Sequence, residues 1–191
     1  AVLIKDDTDI LARAKALTTR QDLAIGVGAA VRMVLSEASI DASVISLASL
    51  STTLATNALV EGQGGRVALI YVGFSASDLK VHGLLDALKG DPVCVLEGGH
   101  LHDGLEASQL DERPLVAFLQ KHKDEVSSFA VAAQFATRNP AHENRTIDLV
   151  RQITAKPVSA SHQLSAKLGG PKRALTALLN ARLVGMIDAL V

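Results

Sequence analysis

The chain has no tryptophan, one tyrosine, four phenylalanines and one cysteine among its 191 residues. Each scarcity excludes something. With so few rings, the core has to be built from Leu, Val, Ile and Ala. Cys94 is the only cysteine, so no internal disulfide can form, and a reducing, cytoplasmic compartment fits. No Cys/His pairing marks it as a nucleophile; it is expected to be a small buried hydrophobe. Lys plus Arg number 19 against 20 acidic residues, a net charge of -1. Neither a basic face nor an aromatic platform points to nucleic acid. No apolar run approaches the roughly 18 residues of a membrane-spanning helix, and no secretory signal is legible. A Ser/His/Asp triad signature is also missing.

What is there is the composition of a folded protein. Hydrophobic residues make up 48% and charged residues 20%, which is globular rather than disordered. A chain of this length buries about 70% of its unfolded surface and needs no staples. It opens on Ala1-Val2-Leu3-Ile4, already strand-like and without an initiator Met. It is expected to be a piece of something longer.

Periodicity predicts the order of elements. Residues 1–4 and 10–16 flank the turn residues Asp6, Asp7, Thr8 and Asp9, which predicts an antiparallel hairpin. Leu23, Val27, Ala30, Val31, Val34 and Leu35 recur at helical spacing. Gly26 and Gly28 weaken that helix by roughly 1 kcal/mol each relative to Ala; close packing against the sheet is the expected reason. Residues 43–48 and 66–72 read as strands around a short helix, a βαβ unit that implies parallel pairing. Further strands are expected near residues 93–96, 128–133 and 157–160. Helices are expected near 78–89, 111–122, from Asn139 and Pro140 onward, and from Gly170 to the end. The expected fold class is α/β, a mixed sheet flanked by helices. Residues 1–74 would form the first part of the lobe, 75–124 an α+β insertion, and 125–191 the second part.

The stretch richest in candidate chemistry is Ser51-Thr52-Thr53-Leu54-Ala55-Thr56-Asn57-Ala58-Leu59. Ser51 stands where a helix N-cap belongs. Thr52 and Thr53 would then occupy the first turn, at the carboxyl end of the preceding strand, where open parallel sheets bind ligands. A helix N-terminus suits phosphate or carboxylate. Asn57 falls about one turn further on. Capping alone is the competing reading of Ser-Thr-Thr. His100, His102 and Asp103 suggest a metal group, since two His one residue apart on a strand share a face. No fourth ligand is legible and a solvated Gly-flanked hairpin explains them, so no metal is assigned. His142 is expected to be an exposed first-turn residue. Glu143 is expected only to favour the helix dipole.

Three stretches together resemble one family. Thr52, Thr53, Ala55, Thr56, Asn57, Ala58 and Leu59, followed by Gly62, Gly64 and Gly65, resemble a segment of the hydantoinase/oxoprolinase N-terminal region. Arg138-Asn139-Pro140 with His142 and Glu143 resembles a second, and Thr176 with Leu179-Asn180-Ala181 a third. They occur in the family's order. Two departures stand out. Leu50-Ser51 replaces a His-Gly pair found in many members, and the family's Gly-Gly-Thr phosphate loop does not precede Ala1 in this sequence.

The resemblance implies a ribonuclease-H-like lobe of the actin/sugar-kinase/Hsp70 type of ATPase. It implies ATP with Mg²⁺ in the complete protein, and ATP-dependent opening of a cyclic amide such as a hydantoin or 5-oxoproline. Thr52, Thr53 and Asn57 would face the cleft and bind phosphate or substrate; which residues are catalytic is left unassigned. A second ATPase lobe and a second hydantoinase-type subunit or domain would complete it, in an oligomer. The isolated chain is expected to be inactive. Some relatives carboxylate ketones instead. The alternative reading is a non-catalytic α/β scaffold or subunit-contact lobe.

Overall fold

The computed structural model describes residues 1–19, 22–49 and 64–188, the side chains of 23 and 185–188 excepted. The described residues form two compact units, one within residues 1–49 and one within 64–188.

In the first unit, β1 (Val2–Lys5) and β2 (Asp9–Arg13) pair antiparallel, with Val2 opposite Arg13 and Lys5 opposite Asp9. Asp6 and Asp7 turn the chain at φ 52° and 61°, a left-handed conformation that Asp adopts more readily than most residues. Helix α1 (Leu23–Ala38) starts where the Asp22 carboxylate accepts from the Ala24 amide at 2.9 Å. Its Val34 packs on Ala12 and Ala14 of the hairpin segment. Gly26 is required by close approach, but not to a sheet. A Cβ there would sit 2.8 Å from the Leu17 carbonyl oxygen.

Residues 43–48 do not form the expected strand. The Asp41 carboxylate accepts from the Ser43 amide at 2.8 Å and starts a single 3₁₀ turn, Ala42–Val44. A local side-chain bond competes successfully with extended pairing.

The second unit is a four-stranded sheet, in the order β4-β3-β5-β6. Its strands are β3 (Val67–Val72), β4 (Val93–Leu96), β5 (Ser128–Ala133) and β6 (Val158–Ala160). Every pairing is parallel. The expected mixed sheet is therefore corrected: among the described residues, antiparallel pairing of strands is confined to the separate β1–β2 hairpin. Residues 75–124, expected as an insertion, contribute β4 to the sheet edge and two helices packed on it.

β3 and β5 are buried along their whole length, as strands covered on both faces must be, and apart from Ser128 both are continuous apolar runs for that reason. One face is covered by α3 (Glu112–His122) and α4 (Ala141–Thr154), through Leu115, Leu119, Leu149 and Val150. The other is covered by α2 (Leu84–Leu88) and α6 (Gly170–Asp188). Ala174, Ala177, Leu178 and Ala181 form the buried stripe of α6, small enough to let the helix lie close to the sheet. A one-turn helix, α5 (Ser161–Leu164), follows β6 directly.

The chain leaves β3 toward one face and β5 toward the other. The strand order reverses between these two neighbours, so their carboxyl ends flank a topological switch point. That is the position at which open α/β sheets form ligand crevices.

Candidate functional site at the carboxyl edge of the sheet

At the switch point, the loop after β4 folds over the ends of β3 and β5. Gly98 and Gly99 adopt φ +136° and +81°. A Cβ on Gly98 would lie 2.8 Å from Val72 Cγ1, and one on Gly99 3.0 Å from Gln134 Cβ. Glycine is thus demanded by conformation and by space. The His100 amide then donates to the Gln134 carbonyl at 3.1 Å. Beside this loop lies an open depression of about 560 Å³ lined by Gly73, Phe74, Ser75, Glu97, Gly98 and Ser108 among others.

Two adjacent residues at the start of α4 reach in different directions. His142 Nδ1 accepts from the Gly99 amide at 2.8 Å. Its proton therefore sits on Nε2, which donates to Glu106 Oε1 at 2.8 Å. The His100 ring packs against His142, centroids 4.5 Å apart. His100 Nδ1 is enclosed without a partner among the described residues. Burial, then the neighbouring His142, holds the His100 pKa below its ordinary value, with Glu106 opposing.

Glu143 is fully buried. Its Oε1 accepts from the Ala133 amide at 2.7 Å and from Ser161 Oγ at 2.5 Å. Its Oε2 accepts from the His162 amide at 3.0 Å and from His162 Nδ1 at 2.5 Å. Arg173 of α6 completes the network, donating to Ser161 Oγ at 3.2 Å and to the carbonyls of Ala133, Lys167 and Leu168 at 2.8 to 2.9 Å. Burial opposes the charge on Arg173, and the Glu143 carboxylate supports it. A buried ion of each sign, fully hydrogen-bonded, is the arrangement that offsets desolvation.

These geometries revise the sequence reading. His142, expected as an exposed first-turn residue, retains 7% exposure, and Glu143, expected only to favour the helix dipole, retains 0%. They are turned inward because the carboxyl ends of β4, β5 and β6 present amides and side chains that need acceptors. Pro140 directly precedes the first helical residue, and the Asn139 carboxamide oxygen accepts from the Ala141 amide at 3.1 Å. The Asn139 NH₂ reaches the Gly104 carbonyl at 3.1 Å. Asn180 of the third stretch donates to Ser159 Oγ on β6 at 2.9 Å, whereas Thr176 bonds back to its own helix. His102 is exposed and the Asp103 carboxylate is engaged by the Leu105 amide at 3.0 Å. Among the described residues, no group of three His, Cys, Asp or Glu side chains is arranged to hold a metal. Thr52, Thr53 and Asn57 lie outside the described residues.

His162 and Arg173 escaped the sequence reading altogether. The one available signal was position: Ser161-His162 immediately follows an apolar strand, at a carboxyl end.

The family model for the hydantoinase/oxoprolinase N-terminal region matches residues 1–154. The chain belongs to this family. Two curated relatives are similar to it. The alpha subunit of a caprolactamase from Pseudomonas jessenii is 29% identical over 163 residues, covering 73% of this chain and 23% of the relative. The gamma subunit of an acetophenone carboxylase from Aromatoleum aromaticum (strain DSM 19018 / LMG 30748 / EbN1) is 27% identical over 209 residues, covering 89% and 28%. The chain therefore spans about a quarter of the length of these curated relatives. A nucleotide-free acetone carboxylase, solved in a study of ATP-dependent acetone carboxylation, superposes with a TM-score of 0.59 at 19% identity, covering 99% of this chain and 32% of that one. That likeness shows the fold, an α/β arrangement shared with the hydantoinase/oxoprolinase region described here.

Proposed function

We propose that this chain is the N-terminal portion of an ATP-dependent enzyme that opens cyclic amides of the hydantoin, lactam or 5-oxoproline type. The family match over residues 1–154 carries the reading. The similarity to a caprolactamase subunit supports the substrate class, since a caprolactam is itself a cyclic amide. In this reading the hairpin and the parallel sheet belong to one ribonuclease-H-like lobe. Thr52, Thr53 and Asn57 face its cleft and contact phosphate or substrate. A second ATPase lobe and a second hydantoinase-type subunit complete the cytoplasmic enzyme.

ATP and Mg²⁺ belong to the complete protein. The described residues do not assemble an acidic set suited to Mg²⁺. A second reading, carboxylation of a ketone, is favoured by the acetophenone carboxylase similarity.

One assay separates the two. The complete protein with its partner subunit is supplied with Mg-ATP and either a lactam, hydantoin or 5-oxoproline, or a ketone with bicarbonate. Phosphate release coupled to a ring-opened amino acid supports the hydrolase. Coupling only to the ketone overturns it, and turnover of neither class leaves the scaffold reading. Within an active enzyme, Thr52→Ala with Thr53→Ala is expected to lower turnover while leaving the unfolding transition in place. Unchanged turnover removes these threonines from the site.

A further inference from the structure

His162 is held in one orientation by a carboxylate that is shut away from solvent. Glu143 Oε2 takes both the backbone amide and the Nδ1 proton of His162. The carboxylate itself is wholly buried and is fixed from three further sides by Ala133, Ser161 and, through Ser161, Arg173. This arrangement places the neutral-ring proton on Nδ1 and leaves the lone pair on Nε2. That atom has no partner among the described residues and is not among the enclosed unpaired atoms. The His162 side chain keeps 17% exposure. His142 shows the contrast: both of its nitrogens are engaged. A buried carboxylate that sets the tautomer of a histidine, with the far nitrogen open at the carboxyl edge of a parallel sheet, is the geometry of a general base.

We propose that His162 is the proton-transfer residue for ring opening, with Glu143 as its positioning residue. The inference rests on the cyclic-amide reading for its substrate. Nε2 takes a proton from water as the water oxygen bonds to the amide carbon, and the Glu143 carboxylate stabilises the imidazolium. The ring C–N bond then breaks and Nε2 returns the proton to the departing nitrogen. The oxygen of water ends on carbon, its proton ends on nitrogen, and the imidazole is regenerated neutral. Where ATP has first phosphorylated the amide oxygen, the ring-opened product is an acyl phosphate, which a second water would cleave to the carboxylate and inorganic phosphate.

The test uses the complete protein with its partner subunit, under saturating Mg-ATP and a lactam the native enzyme turns over. His162→Asn retains a donor toward Glu143 but has no lone pair at the Nε2 position. It is expected to lower kcat by about 100-fold or more, the usual weight of a general base, with KM little changed. His162→Gly is expected to regain rate on addition of imidazole, which a purely structural role would not allow. A second arm needs no substrate. Two-bond ¹H–¹⁵N spectra of ¹⁵N-histidine protein should show His162 protonated at Nδ1 and bare at Nε2 near pH 8, and Glu143→Gln should weaken that preference. Native-like kcat in His162→Asn overturns the proposal, as does a proton on Nε2 in the spectra. If the native enzyme opens no cyclic amide, the functional reading falls and so does this ring-opening role. The spectra then report whether the Glu143–His162 orientation itself survives.

Discussion

Arg182 and Asp91 stand 91 positions apart in the chain and 2.7 Å apart in space. Their side chains keep only 10% and 5% exposure. Arg182 also donates to the carbonyls of Ala87 and Leu88 at 2.8 and 3.1 Å, and Asp91 accepts from the Val67 amide at 3.1 Å. The pair thus ties the last helix to the turn after α2 and to the first residue of β3. Asp91→Ala leaves a buried guanidinium without its counter-charge. It is expected to cost about 3–5 kcal/mol in urea unfolding, and Arg182→Met a similar amount. The double variant should lose less than the sum of the two. Strict additivity would show that the charges do not act as a pair.

Gly170 begins α6 against an aromatic stack. Phe74 lies over Tyr71 with centroids 4.1 Å apart, and a Cβ on Gly170 would sit 2.4 Å from the Phe74 ring. Gly170→Ala is expected to destabilise by about 1–3 kcal/mol through overpacking. Adding Phe74→Leu should recover part of that loss. A neutral Gly170→Ala would mean that the ring moves aside freely.

Burial pushes the Cys94 thiol up to about 11. Near pH 8 only about one thiol in a thousand would be ionised, and the thiolate is the reactive form. Native protein is expected to resist iodoacetamide at this residue, with labelling appearing on addition of denaturant. Rapid labelling under native conditions would contradict the burial of Cys94.

His100 makes stability depend on pH. Its folded pKa lies below the ordinary 6.5, chiefly because the ring is buried. Between the two values the unfolded chain binds the proton and the folded chain does not. The contribution is therefore complete above about pH 6.5 and is lost as pH falls toward the depressed folded value. Replacing the ring by a non-titrating one, His100→Phe, should flatten the dependence of unfolding free energy on pH between 7 and 5. An unchanged slope would assign that dependence to other groups.

Much of the sheet was legible in the sequence because its strands are buried on both faces. Residues 67–72 and 129–133 are continuous apolar runs, the pattern of strands buried on both faces of a parallel sheet. The hairpin was legible through Asp6 and Asp7, whose short polar side chains suit its turn. Residues 43–48 misled because four of the six are apolar and read as a buried strand, while the decisive contact, Asp41 to Ser43, is a local cap. The site was far less legible. Glu143 sits where any first-turn Glu would favour the helix dipole, and nothing local distinguishes a solvated carboxylate from one that accepts four hydrogen bonds. Its partners, Ala133, Ser161 and His162, are brought to it by the β5–α4–β6 crossover. That is a property of topology, with no counterpart in spacing along the chain.

Helix α6 carries Arg173 at the carboxyl edge of the sheet and Arg182 at the opposite edge. The nine-residue interval, about 14 Å of helix, is close to the roughly 17 Å run of the six-residue strand β5 beneath it. The helix is a strut cut to the length of the sheet and bolted at both ends. The family match stops at residue 154, short of β6 and of this strut. A polypeptide ending at Thr154 would expose the face of Leu69, Tyr71 and Ala132 that α6 helps to cover. It would leave Glu143 without Ser161 and His162, and Asp91 without Arg182. The residues beyond 154 thus complete the packing of the sheet through two arginines, which reach the carbonyls of Ala133, Ala87 and Leu88 and the carboxylate of Asp91.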